Sequence, residues 1–234
     1  MEIRAGPGHG GGRSLKTRVK TARKRSVSSA RWLERQLNDP YVARAKQEEW
    51  RSRAAYKLIE INERYHFLKP GQRIADLGAA PGGWSQVCVK LTGADKSKGR
   101  VTGIDLVEIP PLPGASFHVL DFTDSEAPRL LTEWLGGSAD VVLSDMAPNT
   151  TGHKKTDHLR IMGVAELAAD FACEVLTERG VFLAKVFQGG TEKDLLARLK
   201  SEFSVVRHVK PNASRKDSSE LYVLAMGFRG GAKQ

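Results

Sequence analysis

Lys185 stands inside Val181–Phe187 (VFLAKVF), a run otherwise apolar on both faces. Lysine is almost never buried without a partner. This one either snorkels from a strand end or meets charged groups brought to it from elsewhere. Asp145 follows the apolar run Val141–Leu143 and precedes Met-Ala-Pro-Asn. That context puts a carboxylate where a buried strand opens. Asp105 closes another such run (RVTGID), where a carboxylate can accept both hydroxyls of a ribose. Asp121, ahead of Phe-Thr-Asp, suits the same role or the capping of a turn. Glu220 opens an apolar segment and Lys57 lies in SRAAYKL; taken singly they suit an edge residue and a solvated helix face. Asp76 to Trp84 reads DLGAAPGGW, a glycine-rich turn entering a helix, where glycine lets a ligand approach the backbone closely. It lacks G-x-G-x-x-G and any phosphate-cradling lysine motif. A pyrophosphate is therefore not expected there, which argues against a nicotinamide-dependent oxidoreductase.

The elements that must position these residues alternate. Apolar segments at 73–78, 100–106, 115–122, 139–145, 180–187 and 204–211 are separated by helical patterns at 83–92, 125–135, 157–178 and 191–203, with ELYVLAMGF (220–228) last. Thr191 and Asp194 open the last helix at capping-box spacing. This is a βαβ alternation, which predicts an α/β fold with a mostly parallel sheet. The last two segments lack an intervening helix and are joined by a short loop at 211–218. The seventh strand should therefore run antiparallel, at the edge of the sheet. In such sheets ligands bind outside the carboxyl ends of the strands. Two or three helices precede the first strand, one with Trp32, Leu33 and Leu37 on a stripe and the next started by Asp39-Pro40, a good N-cap followed by proline.

Composition narrows the class. The chain has 234 residues, 40% apolar, with 37 Lys+Arg against 27 Asp+Glu for a net charge of +10. One large domain is the default at this length. Two cysteines, Cys88 and Cys173, exclude a disulfide scaffold and fit a reduced, cytoplasmic protein in which both serve as small core hydrophobes. No apolar run reaches the roughly 18 residues of a membrane span. Residues 1–30 hold eight basic residues and one acid, contributing +7, while the other 204 carry +3. Residues 1–28 are expected to be a disordered basic arm, since they lack the apolar stripe of a presequence. A basic arm on a nearly balanced body implies a polyanionic partner, most simply nucleic acid. His153 and His158 are five apart, which is not a helical metal-ligand pair, so no metal is expected.

SRAAYKL, DLGAAPGGWSQ, SDMAPNTTG, LAKVFQG and SRKDSSELYVLA, in that order, resemble the FtsJ/RrmJ family of S-adenosylmethionine-dependent RNA ribose 2′-O-methyltransferases over roughly residues 29–229. RWLERQLNDPYVARAKQ is similar to the bacterial large-subunit ribosomal RNA branch. The resemblance implies a Rossmann-like methyltransferase fold: a seven-stranded, mostly parallel sheet with an antiparallel last strand, flanked by helices. It implies a single domain over 29–234 with a helical RNA-contacting segment at 29–65. The family's lysine, aspartate, lysine, glutamate tetrad falls on Lys57, Asp145, Lys185 and Glu220. Its methyl-donor site falls on Gly82, Trp84, Asp105, Asp121 and Asp145.

The expected reaction is in-line attack of a ribose 2′-oxygen of a 23S rRNA uridine, on the large ribosomal subunit, upon the methyl of S-adenosylmethionine. The expected state is a monomer. Lys185 takes the hydroxyl proton as a neutral amine if Lys57 and the sulfonium dominate its surroundings; if Asp145 and Glu220 lie closer, it stays charged and orients the hydroxyl instead. Arg51, Arg53, Lys154, Lys155, Lys210, Arg215 and Lys216 are expected to hold RNA phosphates together with the arm. The alternatives are a tRNA ribose 2′-O-methyltransferase and a non-catalytic RNA-binding ribosome assembly factor.

Overall fold

The computed structural model describes residues 27–148, 151–187, 192–215 and 217–230; the side chains of residues 27, 28, 30–32, 154, 155 and 192 lie outside that description. The arm at 1–26, Thr191 with its capping box, and Lys216 lie outside the described residues too.

Three helices precede the sheet, α1 (Val27–Leu37), α2 (Pro40–Gln47) and α3 (Ala55–Tyr65). Asp39 caps α2 as its type and place require: it is extended, its carboxylate accepts the Tyr41 amide, and Pro40 follows. Of the α1 stripe, Leu37 is exposed rather than packed. The strands are β1 (Arg73–Leu77), β2 (Arg100–Asp105), β3 (Ala115–Val119), β4 (Ala139–Ser144), β5 (Leu176–Phe187), β6 (Phe203–Val209) and β7 (Glu220–Phe228). Helices α4 (Gly83–Thr92), α5 (Ala127–Leu135), α6 (Lys154–Val175) and α7 (Glu192–Glu202) connect them.

The described strands form one sheet in the order β3-β2-β1-β4-β5-β7-β6. β1 to β5 run parallel, and β7 pairs antiparallel with both β5 and β6. The expectation of an antiparallel β7 holds, but its place at the edge does not. β7 is inserted between β5 and β6, and β6 is the edge strand. The cause is burial. Val223–Ala225 of β7 are fully buried, whereas most of β6 is partly or wholly exposed, so the strand with two apolar faces takes the inner position. A second boundary also shifts: α6 ends at Val175 and β5 begins at Leu176, with Ala139 paired to Leu176 before a bulge restores register at Val141–Val181.

Alternation along the strands splits the core in two. Ala75, Leu77, Phe182, Ala184 and Val186 face α5, α6 and α7. Ile74, Val181, Leu183, Tyr222 and Leu224 face α3 and α4. Burying each large side chain such as Phe182 or Ile74 contributes about 1.5–3 kcal/mol. Cys88 is core, as expected, but Cys173 is not: it is half-buried and donates its thiol to Glu202 Oε2 at 2.8 Å. Burial and that carboxylate push the Cys173 thiol up to about 12. Among the described residues no helix is long and apolar enough to cross a membrane.

Candidate active site

Strand order reverses between β2-β1 and β4-β5, which opens a crevice at the carboxyl ends of β1 and β4. Period-two geometry then decides what faces it. Lys185 lies two residues beyond Leu183, so it points to the α3 side of β5. Tyr222 is its registered partner on β7, Glu220 is two residues earlier on the same face, and α3 carries Lys57 over them. Asp145 directly follows β4.

The four charges expected together are together. Lys57 Nζ lies 2.9 Å from Glu220 Oε2 and 3.7 Å from Asp145 Oδ1. Lys185 Nζ lies 2.8 Å from Asp145 Oδ1 and 3.9 Å from Glu220 Oε2, and donates at 2.7 Å to the Asp145 carbonyl oxygen. Both lysines are under a tenth exposed, Lys57 at 7% and Lys185 at 8%. The solvated-face account of Lys57 and the snorkelling account of Lys185 both fail. Two residues of this cluster escaped the sequence. The Tyr222 phenol donates to Asp145 Oδ1 at 2.6 Å and accepts from Lys57 Nζ at 2.9 Å. Ser214 Oγ donates to Glu220 Oε1 at 2.6 Å. A signal for Tyr222 existed: it stands two residues after Glu220 in a buried strand, so it shares that face. Burial raises the Asp145 carboxyl, but the Lys185 and Lys57 charges, with hydrogen bonds from Lys185 and Tyr222, hold it below its ordinary value.

Beside the cluster lies a cavity of about 480 Å³ lined by Asp105, Asp121 and Asp145 with Leu106, Phe122 and Met146 among its apolar walls. Asp105 organises its rim. Oδ2 accepts the Ala80 amide at 2.9 Å and Oδ1 the Val107 amide at 3.2 Å, and each oxygen keeps a lone pair for a ligand. Asp121 is held below its ordinary value by hydrogen bonds from the Thr123 amide and hydroxyl; it caps its turn and also faces the cavity. Carboxylates over apolar walls suit a nucleoside that carries positive charge, so the lining fits S-adenosylmethionine. Gly82 and Trp84 are placed differently from these carboxylates. Trp84 is 3% exposed, its indole donates to the Ala54 carbonyl at 2.8 Å and packs 5.7 Å from Tyr222. It offers a ligand only its main chain at the α4 N-terminus. Gly82, at φ +100°, precedes α4, and a Cβ there would come 2.7 Å from Arg51 Nη1, so no other residue fits without displacing the arginine.

That arginine is not free. Arg51 donates to the carbonyls of Pro81, Pro110 and Pro111, joining the glycine turn to the loop after β2. Arg53 donates to the Ala213 carbonyl and pairs with Asp39, which Arg215 Nη2 also approaches at 3.6 Å. Lys210 donates to the Ser218 carbonyl. Four of the expected RNA contacts thus have intramolecular partners, because nearby carbonyls and Asp39 compete for their donors. Nothing is described of the Lys154, Lys155 and Lys216 side chains. Among the described residues no group of three or more His, Cys, Asp or Glu could hold a metal.

A further carboxyl lies beneath the site. Asp76 is 1% exposed and accepts from Ser85 Oγ at 2.6 Å. Burial, opposed by the Ser85 hydrogen bond and reinforced by Asp145 and Asp105, raises it to about 7. The folded value exceeds the unfolded one, so the folded chain binds the extra proton and loses stability as pH rises from about 4 to about 7. Asp76→Asn removes that dependence. Its melting temperature relative to the unsubstituted chain should increase between pH 5 and pH 8 in thermal scans; a constant difference would refute the assignment.

The FtsJ-like methyltransferase model matches residues 50–228. Ribosomal RNA large subunit methyltransferase E of Xanthobacter autotrophicus is 63% identical over 94% of this chain and 87% of its own. The protein of that name from Bradyrhizobium diazoefficiens is 62% identical over 94% and 96%. Among solved structures, a Plasmodium falciparum protein described as a ribosomal RNA methyltransferase has a TM-score of 0.69 at 30% identity, covering 77% of this chain and all of that one.

Proposed function

Since the chain belongs to the FtsJ-like methyltransferase family, we propose that it transfers a methyl group from S-adenosylmethionine to the ribose 2′-hydroxyl of a uridine in 23S rRNA, on the large ribosomal subunit. The observation that carries this reading is the convergence of Lys57, Asp145, Lys185 and Glu220 in one cluster, whose Asp145 also lines the carboxylate-lined cavity.

When bound, the donor supplies a methyl on a positively charged sulfur. Asp105 accepts its ribose hydroxyls and the apolar walls take its base. The remaining work falls to the cluster. Of the two roles open to Lys185, the contacts favour the orienting one: Asp145 Oδ1 at 2.8 Å and the Asp145 carbonyl at 2.7 Å occupy two of its three N–H bonds. The third is left for the 2′-oxygen, where it holds the nucleophile in line and stabilises negative charge while the hydroxyl proton is lost to solvent water and the C–O bond forms as the donor's C–S bond breaks. Such positioning can supply about 7–11 kcal/mol of a barrier in favourable systems. Lys57, held by Glu220 and Tyr222, keeps a second positive charge near that oxygen. The basic arm of residues 1–28 is assigned to RNA phosphates by its charge alone.

Purified protein, labelled donor and large-subunit particles from cells lacking the activity are expected to yield one methylated uridine sugar in 23S rRNA. Label on tRNA instead would favour the tRNA alternative. Donor binding without transfer to any RNA would favour an assembly factor.

A further inference from the structure

We infer that Tyr222 is a positioning residue of the transfer reaction, its hydroxyl serving as the brace that sets the distance between Lys57 and Asp145 and leaves one defined oxygen of Asp145 unpaired; this rests on the reading of the cluster as a methyl-transfer site. The phenol is fully buried. It has a single hydrogen. Lys57, an ammonium, can only donate, so the phenolic hydrogen goes to Asp145, and the bonds run in one direction from Lys57 through Tyr222 to Asp145. Burial, with Asp145 and Glu220 close by, pushes phenol ionisation well above its ordinary value, so the polarity of this chain does not reverse as the solution becomes alkaline.

The consequence is geometric. Asp145 Oδ1 receives Tyr222 at 2.6 Å and Lys185 at 2.8 Å, which fills its two lone pairs. Lys57 is kept at 3.7 Å, outside hydrogen-bonding distance. Asp145 Oδ2 is left without a hydrogen-bond partner among the described residues, and Asp145 lines the cavity. Without the phenol, Lys57 would pair directly with Oδ1, compete with Lys185 for it, and turn the carboxylate. Packing does not require the hydroxyl. The ring rests on Trp84 and the α3–α4 core, and phenylalanine would fill that space. A buried hydroxyl is costly unless bonded, and here both of its bonds go to members of the cluster.

The test is Tyr222→Phe in the full chain, read in two ways. Transfer to ribosomal particles should show kcat about 10- to 100-fold lower, as expected for a lost hydrogen bond to charged groups. The donor KM should change far less than kcat, because Asp105 and the apolar walls that would hold the donor are untouched by the substitution. Independently of activity, the Asp145 carboxyl followed by 13C NMR should titrate higher than in the unsubstituted chain, since one of the bonds that stabilise its charge is gone. Unchanged kcat overturns the positioning role, and an unmoved Asp145 titration overturns the brace. If the unsubstituted chain transfers nothing, the proposed function fails while the titration still decides the brace.

Discussion

Lys185→Met is expected to lower the rate of methyl transfer about 10³-fold, within the range for losing a positioned donor at a developing oxyanion. Methionine preserves a long unbranched stem in the apolar strand, so the change removes charge and donors more than volume. The loss has two parts. Asp145 forfeits a hydrogen bond to its carboxylate and another to its own carbonyl, and the 2′-oxygen loses the group that would hold it. Four charges that sum to zero become a cluster of net charge −1. A cationic donor meets more negative charge than before, so calorimetry should find its affinity unchanged or tighter. Transfer at wild-type rate would remove Lys185 from the mechanism. Weakened donor binding together with a fall in melting temperature would mean that the variant reports damage to the fold.

Asp105→Ala should produce the other large effect, on binding instead of rate. Hydrogen bonds to a charged group contribute about 1.5–3 kcal/mol each, so losing two to a ribose diol predicts donor binding weaker by about 10²- to 10⁴-fold. The same carboxylate also holds the Ala80 and Val107 amides, and the rim slackens when it goes. Asp105→Asn retains one acceptor oxygen and should fall between the alanine variant and the unsubstituted chain. Donor affinity in the alanine variant equal to that of the unsubstituted chain would show that Asp105 only closes its turn.

The alternation of elements was legible in the sequence because strand and helix periods differ, and the glycine turn and strand-end aspartates announced the crevice. The tetrad was not legible from periodicity. Lys57 looked like any lysine on an amphipathic helix; its burial depends on β7 and its carboxylate lying under α3, and no local pattern encodes that. Tyr222 was hidden for the opposite reason, since tyrosine is an ordinary β-former. Resemblance to a known motif order supplied the four charges but not the phenol or Ser214. The position of β7 was misjudged because a short connection fixes strand direction and leaves open which side of its predecessor it occupies. The intramolecular partners of Arg51 and Arg53 were not legible because formal charge carries no record of which carbonyls stand nearby.

The turn between β6 and β7 belongs as much to the N-terminal helices as to the sheet. Ala213 gives its amide to Glu60 and takes Arg53 on its carbonyl, Asp39 faces Arg53 and Arg215, and the neighbouring Ser214 holds Glu220. The helical segment is therefore not a detachable module. A chimaera that imports residues 39–65 from a relative must import residues 211–215 with them, although some 150 residues separate the two stretches along the chain.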